Sequence, residues 1–119
     1  MTEVELRRVH AVVGRRKQAT TFLVDRLWPR GVRKTDLDID GWLRDVAPST
    51  ELRRWFGHDP DRWEEFRRRY LAELQGNIGV AQPLVSAARH GRVILLFGAK
   101  DEQHNQAVVL REWLIRHQL

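Results

Sequence analysis

The chain has no cysteine, one methionine, one tyrosine and three lysines in 119 residues. Without cysteine there are no disulfides, no thiolate metal sites and no thiol nucleophile. Without histidine–carboxylate clusters at ligand spacing, metal binding has no pattern to rest on. His58, Asp59 and Asp61 come nearest, and Asp59 reads better as a helix cap. The longest apolar run, Val93 to Phe97, is five residues, far short of the ~20 that span a bilayer. MTEVELRR at the start has no signal-peptide core. The expectation is a cytoplasmic protein with no membrane partner. Neither GxxxxGK[ST] nor GxGxxG occurs, so no nucleotide cofactor is implied. Repeats, linkers and low-complexity segments are missing as well.

What is present is charge and tryptophan. The net charge is +5, and the three lysines stand against eighteen arginines. Arginine suits anionic partners because its fork meets phosphate or carboxylate in bidentate fashion. Genome base composition also raises arginine, and the sixteen acids are interspersed with the bases, as on any soluble surface. Hydrophobic residues make up 42% and five are tryptophan. That supplies a core and argues against disorder.

The organising stretch is TTFLVDRLWPRG, Thr20 to Gly31. It opens as a buried strand and turns charged at Asp25 and Arg26, before Trp28, Arg30 and the chain-breaking Pro29 and Gly31. A rigid strand end is a good place to hold a binding group. Before it, Val4 to Val13 reads as a less buried strand. The link beginning at Gly14 permits a hairpin, so the direction of this first strand stays open.

Beyond it, Ile39, Trp42, Leu43 and Val46 fall at helical spacing and predict a helix from Asp36 to Val46, although Gly41 inside it costs about 1 kcal/mol. Ser49 or Thr50 caps a short helix carrying Leu52, Trp55 and Phe56, with Gly57 as its stop. Asp59-Pro60 starts a helix to Leu74 with Trp63, Phe66, Tyr70, Leu71 and Leu74 inward. A further helix runs from about Val80 to His90. Val93 to Phe97, VILLF, reads as a central parallel strand. Asp101 then caps a last helix, Glu102 to about His117, with Ala107, Val108, Leu110 and Leu114 inward.

Together these predict a small three-layer, Rossmann-like α/β domain covering residues 1–119. Its sheet is short and mainly parallel, with about three strands and roughly four to five helices. The two apolar strands should lie side by side. Ligands bind outside the C-terminal ends of such strands, which gathers Asp25, Arg26, Arg30, Lys100, Asp101, His104 and Asn105 at one edge.

The segments VDRLWPRG, APSTELRRWFGHDPDRWEEFRRRYLAEL and LLFGAKDEQHNQAVVLREWL resemble the YeaO-like family, a bacterial and archaeal domain of unknown function. The resemblance spans nearly the whole chain and implies a small α/β protein with no assigned activity. The family's VDRLWPRG motif falls on Val24 to Gly31, its PSTELR motif on Pro48 to Arg53, and its strand end on Ala99, Lys100 and Asp101, with Asn105 beyond. More distant relatives of similar layout often carry a cysteine beside a histidine after the last strand. Those neighbours here are Gln103 and His104.

Asp25 and His104 are the candidate proton carriers. Histidine changes charge near neutral pH, and Asp25 can move a proton, orient a base or bind a cation, or else pair with Arg26. The candidate anion or substrate ligands are Arg26, Trp28, Arg30, Lys100, Asp101 and Asn105. Each has a structural alternative. Arg26 and Arg30 can stack on Trp28, Trp28 can be core, and Asp101 can be an N-cap. Ser49 and Thr50 are explained by capping, and the run Arg67–Arg69 by a solvated helix face. Three functions fit. The first is an enzyme on a phosphorylated or carboxylated substrate, with a small anionic ligand as partner. The second is a nucleotide or nucleic-acid module using Trp28 as a stacking surface. The third is a protein-interaction domain built on exposed tryptophans.

Overall fold

The structure, a computed structural model, describes residues 3–117. Four strands form one parallel sheet in the order β1-β4-β2-β3. They are β1 (Val4–Arg8), β2 (Thr20–Leu23), β3 (Gly41–Trp42) and β4 (Val93–Phe97). β4 is buried along its whole length. Five consecutive apolar residues need cover on both faces and partners on both edges, and only the sheet centre offers all four. β1 pairs with one edge of it (Val4↔Val93 to Arg8↔Phe97) and β2 with the other (Thr20↔Val93 to Leu23↔Leu96). The expected parallel pairing of β2 with β4 is therefore present. β1 is parallel too, since β4 lies where a hairpin would have put β2. It is also shorter than expected, ending at Arg8, where Val9–Ala11 turn as 3₁₀ helix.

All four helices pack on one face: α1 (Thr50–Phe56), α2 (Trp63–Gly76), α3 (Gln82–His90) and α4 (Gln106–Arg116). Val93, Leu95 and Phe97 point into this layer, with Phe66, Tyr70, Leu84, Leu110 and Trp113 among their surroundings. Ile94 and Leu96 point the other way, into a smaller cluster with Val9, Leu23, Val32 and Leu37. That face is covered by turns rather than helices, so the third layer is irregular chain. Caps stand where turn chemistry puts them. Ser49 accepts from Leu52 N–H at 3.1 Å, Asp59 accepts from Asp61 N–H at 3.0 Å, and Gly57 takes a left-handed φ of 52° to end α1. In the arginine run, Arg67 crosses to Glu112 of α4, while Arg68 and Arg69 pair with Glu65.

Two expectations fail. Residues 36–46 are not a helix: Lys34–Asp36 and Arg44–Val46 are 3₁₀ turns around the edge strand β3. The apolar stripe is real in spacing but divides in space, with Ile39 and Trp42 joining the smaller cluster and Leu43 and Val46 the larger. Its acids are spent on holding the chain extended. Asp40 accepts from Thr21 N–H and Lys17 Nζ, both at 2.8 Å, and Asp38 accepts from Lys17 N–H at 3.0 Å. The last helix also starts later than expected. Asp101 uses its carboxylate on the N–H groups of Gln103 and His104, closing a local turn. The N-cap is Asn105, whose Oδ1 accepts from Ala107 and Val108. Its inward face is Ala107, Val109, Leu110, Trp113 and Leu114, and Val108 is only half-buried.

Candidate functional site

The all-parallel sheet sends its strand ends to one edge. A cavity of about 460 Å³ opens there. Its walls come from the end of β1 (Arg8, His10), the segment after β2 (Asp25 to Arg30), the region around α1 (Ala47, Pro48, Arg53, Phe56, His58) and the loop from β4 into α4 (Gly98 to Lys100, Asn105, Gln106).

Asp25 lies at its base. Gly98 N–H donates to Oδ2 at 2.9 Å, and the Gln106 amide donates to Oδ1. Gly98 is required here, because a Cβ at that position would stand 2.7 Å from Asp25 Oδ2. Burial pushes the Asp25 carboxyl up to about 6, opposed by those two hydrogen bonds and by the positive charges of His58 and Arg53. The expected pair with Arg26 is not made. Arg26 instead donates to the carbonyls of Pro48 (3.0 Å) and Ala47 (3.1 Å), tying the strand end to the segment before α1. Trp28 does not carry Arg26 or Arg30 either. Its indole donates to Val32 O, meets Trp42 edge-on at 5.4 Å, and has Lys34 Nζ 5.6 Å from its centre.

Many of the other cations are paired. Arg7, Arg33, Arg62, Arg67, Arg68, Arg69, Arg92, Arg116 and Lys17 each face a carboxylate within 4.0 Å. Among the described residues Arg15, Arg16, Lys34, Arg44, Arg54, Arg89 and Arg111 form no salt bridge and lie outside the cavity, and four more such cations line it. Among the described residues no carboxylate partners Arg8, Arg30, Arg53 or Lys100, and Arg8 Nε is buried with no hydrogen bond. Four cations around one acid, Asp25, raise the local potential for an anion.

Of the residues expected at this edge, Asp25, Arg26, Trp28, Arg30, Lys100 and Asn105 line the cavity. Asn105 is buried, and its amide is committed to the cap and to Asp101 O. Asp101 and His104 sit to the side. His104 Nδ1 lies 2.9 Å from Asp101 Oδ2, and the ring meets Trp63 edge-on at 5.2 Å. The N–H of Gln103 and then the His104 ring hold the Asp101 carboxyl below its ordinary range.

Sequence reasoning missed Arg8, Arg53, His58 and Gln106. Arg8 belongs to the site only because β1 is parallel, the point the sequence left open. His58 stands there because it follows the left-handed Gly57 and itself has φ 57°, a conformation rare outside glycine. Among the described residues no group of three His or acidic side chains gathers to hold a metal, and no helix is long and apolar enough to cross a membrane. All five tryptophans are buried or half-buried.

A family model described as the inactive DUF488-N3 subclade matches residues 3–118. The chain is 45% identical over 93 residues to the uncharacterised protein YeaO of Escherichia coli K12, covering 78% of this chain and 81% of that protein. It is 50% identical over 60 residues to the uncharacterised proteins Mb3100c of Mycobacterium bovis and Rv3073c of Mycobacterium tuberculosis, covering 50% of this chain and 51% of each. No solved structure is matched significantly. With nearly its whole length in that model and an arrangement of strands and helices to fit the resemblance seen in its motifs, the chain belongs to the YeaO-like proteins of the DUF488 family, in the subclade described as inactive.

Proposed function

We propose that this protein binds a small phosphorylated or carboxylated molecule in the cavity at the strand ends. One observation carries the reading: Arg8, Arg30, Arg53 and Lys100 line the cavity from four separate segments, none in a salt bridge, with Asp25 as the one acid among them. Arg26 frames the site through Ala47 and Pro48. The family description, an inactive subclade, supports binding over catalysis. Proton transfer is the second reading, favoured by one fact: Asp25 sits where its carboxyl changes charge at about 6, close to where a general base works best.

A thermal-shift screen on wild type and Arg30→Ala tests the first reading. The panel is phosphate, sugar phosphates, dicarboxylates, nucleotides and short oligonucleotides. A ligand at ~100 times its Kd stabilises by about 2.7 kcal/mol, on the order of 10 °C for a chain of this size. Small anions should raise Tm in wild type and not in Arg30→Ala. A rise from oligonucleotides alone, vanishing with salt, would replace this reading with nucleic-acid binding. No rise from any compound would sink it.

A further inference from the structure

We infer that the ligand is a phosphate monoester with a flat, apolar body, such as an aryl phosphate, rather than a carboxylate or a free inorganic anion. This rests on the anion-site reading above and narrows it.

The first argument concerns the charged half. A carboxylate is planar, carries one charge and is satisfied by a single guanidinium fork. Here four cations line one cavity from four separate segments, the end of β1, the segment after β2, α1 and the loop after β4. A phosphate monoester carries close to two charges near neutral pH and presents three terminal oxygens, which can accept from several directions at once. Asp25, the one acid in the wall, already has both oxygens engaged by Gly98 and Gln106.

The second argument concerns the other half. Leu27, Pro29, Ala47, Pro48 and Phe56 form an apolar wall beside the cations. Leu27 is 55% exposed, an apolar side chain left facing the opening. An inorganic anion makes no use of that wall. The volume, about 460 Å³, falls in the range of small-molecule sites, roughly 300–1,000 Å³.

The test is isothermal titration calorimetry of the full chain with phenyl phosphate, methyl phosphate, inorganic phosphate and benzoate. Phenyl phosphate should bind at least about tenfold more tightly than each of the other three, a difference of ~1.4 kcal/mol. Leu27→Ser, whose fold is checked by circular dichroism, should shrink the phenyl-to-methyl ratio. If benzoate equals phenyl phosphate, the phosphate preference is wrong. If methyl and phenyl phosphate bind equally, the apolar body is wrong while the anion site stands. If none of the four binds, both readings fall together. Should Leu27→Ser not fold, the four-probe comparison on wild type decides alone.

Discussion

Asp25 holds a carboxyl group where water is scarce, and its protonation should register in stability. Its ordinary value is 3.8, and burial raises it to about 6 in the folded chain. Between those values the folded state holds more protons than the unfolded one. The contribution is therefore fully present below 3.8 and is lost as pH rises through about 6. At ~1.4 kcal/mol per pH unit the loss is on the order of 3 kcal/mol. Asn at this position keeps an acceptor for Gly98 and never charges. Asp25→Asn should therefore be more stable than wild type at pH 8, with the advantage shrinking towards pH 4.5. Urea unfolding at the two pH values checks this, and a gap that ignores pH would refute it. Gly98→Ala should cost ~1–3 kcal/mol, because the new methyl and the Asp25 carboxylate cannot share their space without movement. A melting curve unchanged from wild type would show that the loop yields freely.

Among the elements, the start of α4 matters most to the cavity. Asn105 caps the helix, and the next residue, Gln106, reaches back to Asp25. Asn105→Ala should cost about 1 kcal/mol from the lost cap, more if the freed Asp101 carbonyl stays dry, while Asn105→Asp should retain most of the stability. Chemical denaturation of both variants separates capping from bulk. This boundary was poorly legible because Asp101 and Asn105 are both good caps four residues apart. Local chemistry gives no reason to prefer the second, and the choice depends on where β4 ends and how much chain must cross the strand ends. β3 was hidden for a related reason. Ile39, Trp42, Leu43 and Val46 match a helical stripe, yet they serve opposite faces of the sheet.

For the molecule as a whole, ion pairs lie along α2 and between α2 and α4, while the strand-end cavity sets Arg8, Arg30, Arg53 and Lys100 around a single acid, Asp25. Binding of a small anion should then weaken with ionic strength. Raising NaCl from 0.1 to 1 M shortens the screening length from ~10 to ~3 Å, and the Kd for phosphate should rise several-fold. Calorimetry at the two salt concentrations reads this directly, and an unchanged Kd would mean that the cations act through hydrogen bonds alone.

The sequence by itself determined the parallel core, the helices with clear caps, and the edge at which Asp25, Arg26, Arg30 and Lys100 would meet. Those follow from local rules: an apolar run such as VILLF needs burial on both faces, Asp59-Pro60 starts a helix, and Gly57 stops one. Only the tertiary structure decided the direction of β1, the extended path of residues 36–46, and the presence of Arg8, Arg53, His58 and Gln106 around Asp25. Each depends on which distant segments compete for the same edge or face, and spacing along a chain does not encode that competition. It also decided the state of Asp25. A carboxylate beside an arginine in sequence becomes a buried acid when the arginine turns to backbone carbonyls and leaves it a glycine N–H and an amide.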